Sequence, residues 1–343
     1  MNSTGSKQEI ELKDLKEQVL VITGASSGIG LKTARMAAKQ GARIVAASRN
    51  ESALQQLIEE LREQGAEAIW VKADVSKEAE VENITEAANS AFGGFDTWVN
   101  NAGVSIFGKA MEVDMKDMRH MFDTTFWGVV YGSRAAVNHF KESGKSGALI
   151  NIGSFYGDRG TVVQSSYSAA KFALHGWTEN LRMELEKDKA PISVTLIHPG
   201  RIDTPYNEHA ASYLENKPSH IGMMYGPDAV ADAILYAASH PKRDMYVGFQ
   251  AKSLAVLGRL SPRLMDKWME LTMFRTQQDP KRPINPPETN SLYEPGYGLH
   301  ERGTNKGWVR KKSWYVKVTK HPILSAAALA GIGVSLLALN KKK

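Results

Sequence analysis

A short apolar run that breaks into closely spaced glycines and resumes as a helix leaves few folds open to a chain. Residues 18–40 read QVLVITGASSGIGLKTARMAAKQ. Positions 18–22 are apolar and β-branched, as a strand requires, and helical apolar spacing begins at Ile29. Between them stands Thr23-Gly24-x-x-x-Gly28-x-Gly30. Glycines in such a turn let the backbone approach a diphosphate, and the helix N-terminus adds free N–H groups and the positive end of its dipole. Placed between strand and helix, the turn has the context that a dinucleotide-binding loop demands. Its backbone at Ser26, Ser27, Gly28 and Ile29 is the candidate phosphate cradle.

The same alternation continues downstream. Strands are expected over 43–47, 68–72, 96–99, 148–152, 193–197 and 245–249. The helices lie over 51–64, 78–92, 114–140, from about 166 onward, and over 227–239. Strand–helix alternation of this kind predicts an α/β fold, a Rossmann-type doubly wound parallel sheet with right-handed crossovers. Ligands then bind beyond the carboxyl ends of the strands, where the remaining motifs fall. Ser48-Arg49 ends the second strand, where an acidic residue would hold a ribose 2′-hydroxyl. A guanidinium there suits a 2′-phosphate, so NADP(H) is preferred over NAD(H). Asp74 is placed to accept from an adenine amino group, with the Val75 amide beside it. Asn101, Ala102 and Gly103 line the crevice with their backbone, while Asn100 ties strands together. Pro199-Gly200 turns the chain at the sheet edge and sets the Ile202 amide and the Thr204 hydroxyl toward a nicotinamide carboxamide.

The chemistry concentrates in residues 147–185. Ser154 follows a strand, and Tyr167 and Lys171 lie four apart on one helix face. A phenol titrates near ~10 unperturbed, and a neighbouring cation favours the phenolate. A tyrosine so tuned exchanges a proton with a carbonyl or alcohol oxygen, and Ser154 can hydrogen-bond that oxygen as charge develops.

Composition removes several alternatives. The chain has 343 residues, no cysteine and a net charge of +6. Disulfides, thiol catalysis and Cys-ligated metals are excluded, and no metal site is expected. The basic residues gather near the C-terminus without base-stacking aromatics on a folded face, which argues against nucleic acid. The polar N-terminus carries no apolar signal-peptide core.

With Thr-Gly-x-x-x-Gly-x-Gly, Asn-Asn-Ala-Gly, Ser154, Tyr167-x-x-x-Lys171 and Pro199-Gly200 in this order, residues 15–250 resemble the short-chain dehydrogenase/reductase family. The resemblance implies hydride transfer between a nicotinamide and a carbonyl or alcohol carbon. Tyr167 would be the acid/base, Ser154 would orient and polarise the substrate oxygen, and Lys171 would bind the nicotinamide ribose and lower the tyrosine pKa. Thr125 stands where the family usually has an asparagine that supports a proton-carrying water. A homodimer or homotetramer is expected. A catalytically silent NADP(H)-binding sensor or scaffold is the alternative, and an extended-branch epimerase would want a different glycine spacing. The substrate would be an apolar ketone, aldehyde or alcohol, in a pocket drawn from Phe107, Phe155, Tyr156, Val162 and a lid over 206–225.

The domain reading is therefore a polar segment (1–15), the dehydrogenase domain (16–250), an amphipathic helical extension (251–278) and an irregular linker with a basic-aromatic end (279–320). A membrane-anchor helix follows (323–339). The last run has seventeen residues without a charge, ~25 Å as a helix against a ~30 Å hydrocarbon core. Trp308, Trp314 and Tyr315 with Arg310, Lys311 and Lys312 suit an interfacial belt before it. The chain is expected at a membrane with its catalytic domain in the cytoplasm, or free in the cytoplasm if the run does not insert.

Overall fold

The computed structural model describes residues 10–284, 289–305 and 307–320. Seven strands form one parallel sheet: β1 (Val19–Thr23), β2 (Arg43–Ser48), β3 (Ala68–Lys72), β4 (Thr97–Asn100), β5 (Gly147–Ile152), β6 (Ile192–Pro199) and β7 (Asp244–Val247). Their spatial order is β3-β2-β1-β4-β5-β6-β7. The order reverses between β1 and β4, in register at Leu20–Thr97, Val21–Trp98 and Ile22–Val99. A crevice opens at such a reversal because successive crossovers leave in opposite directions.

Period-two alternation sends β1 side chains into two cores. Leu20 and Ile22 pack with apolar residues of α1 (Gly28–Lys39), α2 (Glu51–Glu63) and α8 (Pro227–Ser239). Val19 and Val21 face α3 (Glu78–Phe92), α5 (Gly128–Ser143) and α6 (Ser165–Lys187). Local signals fix the helix ends: the Asn50 side chain accepts from the Ala53 N–H at the start of α2, and Gly93 closes α3 at φ +73°. Both are favourable capping arrangements.

From β4 across β5 to α6 runs a buried polar network. Trp98 Nε1 donates to Asn100 Oδ1 (2.7 Å), Asn100 Nδ2 to Asn151 Oδ1 (2.9 Å), and Asn151 Nδ2 to the Thr178 hydroxyl (3.0 Å). Asn100 is the strand tie that the sequence suggests.

The structure departs from the sequence expectations at four places. The helix expected over 114–140 is α4 (Met115–Phe122) and α5 joined by a π turn, Asp123–Trp127. At that turn the Thr125 hydroxyl accepts from the Val104 N–H (3.1 Å) and donates to the Val104 carbonyl (3.0 Å), tying the turn to the loop after β4. The amphipathic extension is two helices, α9 (Phe249–Leu260) and α10 (Pro262–Thr276), because Pro262 cannot continue α9. The expected 245–249 strand ends at Val247, where Gly248 at φ +97° turns the chain into α9. The segment from 279 is not an irregular linker throughout. Gln278–Pro283 pairs antiparallel with Asn216–Pro218, and residues 291–301 dock on the body, as described below. The apolar run over 323–339 lies outside the described residues.

Replacing Asn100 by leucine would orphan the Trp98 indole N–H and the Asn151 carbonyl. Since a buried unsatisfied group costs about 1–3 kcal/mol, urea unfolding should show a loss of that order; an unchanged midpoint would remove the network from the list of stabilising features.

Candidate active site

The glycine loop and the strand ends meet in one trough. Its first half is a cleft of about 1010 Å³, open solvent included, walled by Gly24, Ser26, Ser27, Gly28, Ile29, Ser48, Arg49, Asp74, Val75, Asn101, Ala102, Gly103 and Thr204. Its second half gathers Ser154, Tyr167, Lys171, Pro199, Gly200 and Ile202. Ile29, Asn101, Gly103, Thr204 and Tyr206 line both halves. Nearly every cofactor and catalytic candidate therefore falls on one surface. Gly30 and Thr125 do not line it. A Cβ on Gly30 would come within 2.3 Å of the Gly24 carbonyl, so that glycine permits the turn's close packing. Thr125 is fully buried, its hydroxyl engaged by Val104.

The loop is rigid by construction. The Thr23 hydroxyl donates to the Val99 carbonyl and accepts from the Asn101 and Ala102 N–H groups. Asn101 Nδ2 donates to the Thr23 carbonyl (2.9 Å). Asp74 accepts from the Ser76 N–H and hydroxyl (3.0 and 2.8 Å) and holds the loop after β3.

Lys171 on α6 is buried, and its Nζ donates to the Ile152 carbonyl (2.8 Å) at the end of β5. It lies 5.7 Å from the Tyr167 ring centre. Burial lowers its pKa from 10.5 to about 7. Tyr167 is pushed up to about 12: burial raises it, and the hydroxyls of Ser154 and Tyr206 pull it back only in part. The expected lowering of the phenol's pKa is therefore not present in this state. The ammonium is spent on a backbone carbonyl, and desolvation of the phenolate outweighs what reaches it.

Sequence reasoning missed the groups that hold Ser154. Its N–H donates to His175 Nε2 (3.3 Å), while its hydroxyl accepts from the Tyr156 N–H (3.2 Å). The His175 ring fills a slot beside two glycines: a Cβ at Gly153 would lie 2.4 Å from its Nε2, and one at Gly157 2.6 Å. Asp158 faces His175 Nδ1 (3.5 Å) and His198 Nδ1 (2.9 Å), and Asp244 faces His198 Nε2 (3.5 Å). Burial keeps His175 below its ordinary pKa and so neutral, as an acceptor for Ser154 must be. Burial works against a charge on His198, yet Asp158 and Asp244 together hold its pKa above the ordinary value. Burial would raise Asp158, but the two imidazoles hold it well below the carboxylate range. The ligand atoms of Asp158, His175 and His198 lie within 4.8 Å of one another, and each ring nitrogen already has a hydrogen-bond partner. The i+4 spacing of His175 from Lys171 was the available signal; Asp158 and His198 come from other elements and only the fold unites them.

Tyr206, the expected lid wall, opens the short helix α7 (Tyr206–His209). Its hydroxyl contacts Ser105 Oγ and accepts from Gln164 Nε2 (both 2.7 Å), and its ring centre lies 5.5 Å from that of Tyr167. Phe155 and Tyr156 line the pocket as expected, backed by Met265, Met269 and Met273 of α10. Phe107 is fully buried behind Tyr206 with Val163 and Ala210.

Residues 18–214 match the family model described as short chain dehydrogenase. The chain is 64% identical over 327 residues to the uncharacterized oxidoreductase YxnA of Bacillus subtilis (strain 168), covering 95% of this chain and 92% of that one. It is 34% identical over 232 residues to the uncharacterized oxidoreductase SAR2567 of Staphylococcus aureus (strain MRSA252), covering 66% and 94%. Among solved structures it resembles a short chain dehydrogenase/reductase from Burkholderia phymatum in complex with NAD, with a TM-score of 0.64 and 26% identity over 79% of this chain and 98% of that one. It also resembles an alcohol dehydrogenase from Thermococcus sibiricus complexed with 5-hydroxy-NADP, with a TM-score of 0.59 and 25% identity over 67% and 95%. The chain belongs to the short-chain dehydrogenase/reductase family and is an oxidoreductase of that type.

Burying a lysine has a signed consequence. Between pH values of about 7 and 10.5 the unfolded chain binds more protons at Lys171 than the folded one, so stability rises with pH across that window. Lys171→Met should therefore raise the melting temperature, more at pH 6 than at pH 9, while removing activity. A lower melting temperature at pH 6 would mean that the bond to Ile152 outweighs desolvation.

Proposed function

We propose that this protein transfers a hydride between NADP(H) and a carbonyl or alcohol carbon of an apolar small molecule, with Tyr167 as the acid/base. The observation that carries the reading is the meeting of Ser154, Tyr167 and Lys171 in one half of a trough whose other half is the glycine-loop cleft. The cleft suits a dinucleotide: it runs along the N-terminus of α1, and its loop backbone is kept narrow by Gly24 and Gly30. The nicotinamide supplies or accepts the hydride when bound. In the reductive direction Tyr167 gives its proton to the substrate oxygen, and Ser154, set by His175, hydrogen-bonds that oxygen as it gains charge. Lys171 holds the nicotinamide ribose, and turning its ammonium from Ile152 toward that ribose brings positive charge nearer the phenol. Thr125 serves by fixing the Val104 end of the loop. The apolar substrate class rests on Phe155, Tyr156, Tyr206 and the methionines behind them.

Tyr167→Phe keeps the ring and loses the proton. Turnover should fall by about 10²–10⁴-fold while NADPH titration is nearly unchanged, measured against a panel of ketones, aldehydes and quinones. Near-normal turnover in that variant would reassign the acid/base.

We also propose that the run over 323–339 anchors the chain to a membrane. Among the described residues no helix is long and apolar enough to cross one. What supports an anchor is an exposed apolar and basic surface on the described residues. Leu257, Leu260, Leu264, Trp268 and Leu271 on α9 and α10 are exposed, as are Trp308 and Trp314. Exposed Arg259, Arg263 and Lys267 are interleaved with them, an amphipathic and basic pattern suited to anionic lipid. The full chain should pellet with membranes through alkaline carbonate, and truncation after Lys320 should release it. Full-length protein that stays in the supernatant without detergent rules the anchor out.

A further inference from the structure

Two of the donors that a dinucleotide's phosphates would take, the Arg49 guanidinium and the Gly28 N–H, are already taken by the chain itself. Arg49 Nη1 donates to the carbonyls of Leu292 (3.2 Å) and Tyr293 (3.0 Å), and its Nη2 to those of Ser291 (2.5 Å) and Glu294 (3.3 Å). The Gly28 N–H, at the start of α1, donates to the His300 carbonyl (2.9 Å), and the Leu299 N–H to the Ser26 carbonyl (2.8 Å). Asn50 Nδ2 holds the Gly296 carbonyl (2.8 Å) between these two points. Residues 291–301 thus form a strap across the cleft, touching it at the 2′-phosphate position of Arg49 and at the phosphate position of the glycine loop. Glu301 ties its end to Lys32 (3.0 Å) and Arg35 (2.9 Å) on α1.

We infer that this strap is a built-in competitor of the cofactor, and that Arg49 is both its clasp and the ligand that a 2′-phosphate would win from it. This rests on reading the cleft as a dinucleotide site. Four neutral carbonyls around one guanidinium are an uncharged version of a phosphate. A phosphate offers charge-assisted, bidentate bonds to the same fork and replaces them with stronger ones. The docked strap also carries strain: Leu299 has φ +62°, a left-handed conformation that is unfavourable for a residue with a side chain. NADP(H) can draw on both contact points when it displaces the strap; NAD(H) can take only the Gly28 N–H and leaves the clasp closed. Cofactor choice is then set by how well each dinucleotide opens the strap.

Two variants separate the parts. A Cβ at Gly298 would lie 2.2 Å from the Ala53 Cβ, which is fixed on α2 and cannot rotate away, so Gly298→Val undocks the strap without touching Arg49. Stopped-flow binding to this variant should give tighter and faster NADPH binding, by about tenfold if the strap is docked in about nine molecules of ten. Arg49→Ala should bind NADH more tightly and NADPH less. In the unmodified chain, NADPH should speed hydrogen exchange in the peptide over 289–301, and NADH should do so less. If Gly298→Val weakens both dinucleotides, or NADPH slows exchange in that peptide, the strap is a wall of the closed site and the inference is overturned. The same holds if Gly298→Val leaves both affinities and rates within twofold. Failure of the unmodified chain and of Gly298→Val to bind either dinucleotide would overturn the cofactor reading itself, and the strap inference with it.

Discussion

A lysine ammonium taken out of water and set against one backbone carbonyl is the constraint around which the site is arranged. Lys171 reaches Ile152 only because α6 crosses the carboxyl end of β5. The same crossing sets Tyr167 one turn earlier and His175 one turn later on the same helix face. Phenol, ammonium and imidazole are stacked along a single turn-to-turn line, and Ser154 is met by both ends of it. None of the three could be placed independently. Their electrostatics are equally shared: the burial that keeps His175 neutral also lowers Lys171 and raises Tyr167.

Much of this was legible in the sequence because it is local. The glycine turn, the Tyr167–Lys171 spacing and the alternation of strands and helices are patterns within thirty residues or so, and the parallel sheet follows from them. The 51–64 and 78–92 helices and the 68–72 strand carry their own caps and periodicity, and the structure has them within a residue. Ser154, Tyr167 and Lys171 share one pocket because the motif encodes both their chemistry and their separation.

What was not legible depends on contacts between distant parts of the chain. Arg49 reads as a free cation beside a cofactor, since nothing near it in sequence announces carbonyls some 240 positions away. The segment around 291–301 has little periodicity, and proline and glycine there signal a linker as readily as a strap pinned through its backbone. Thr125 was weighed by the side chain it lacks; its hydrogen bonds to Val104 depend on a π turn that composition does not reveal. The raised pKa of the phenol in this state has a related reason. Spacing reports the neighbour, whereas desolvation depends on how completely the fold buries Tyr167.

The slot that holds His175 bears on how this site can diverge. Gly153 and Gly157 leave room for one imidazole and nothing larger, and a methyl on either glycine would overlap the ring. The three positions therefore behave as a single heritable unit: none can drift alone without unseating the serine between them. A lineage that gave up the histidine for a small residue would free both glycines to vary, and would have to find another acceptor for the Ser154 N–H. Coupled change at 153, 157 and 175, rather than change at Ser154 itself, is where sequences of this architecture should record that the serine's support has been rebuilt.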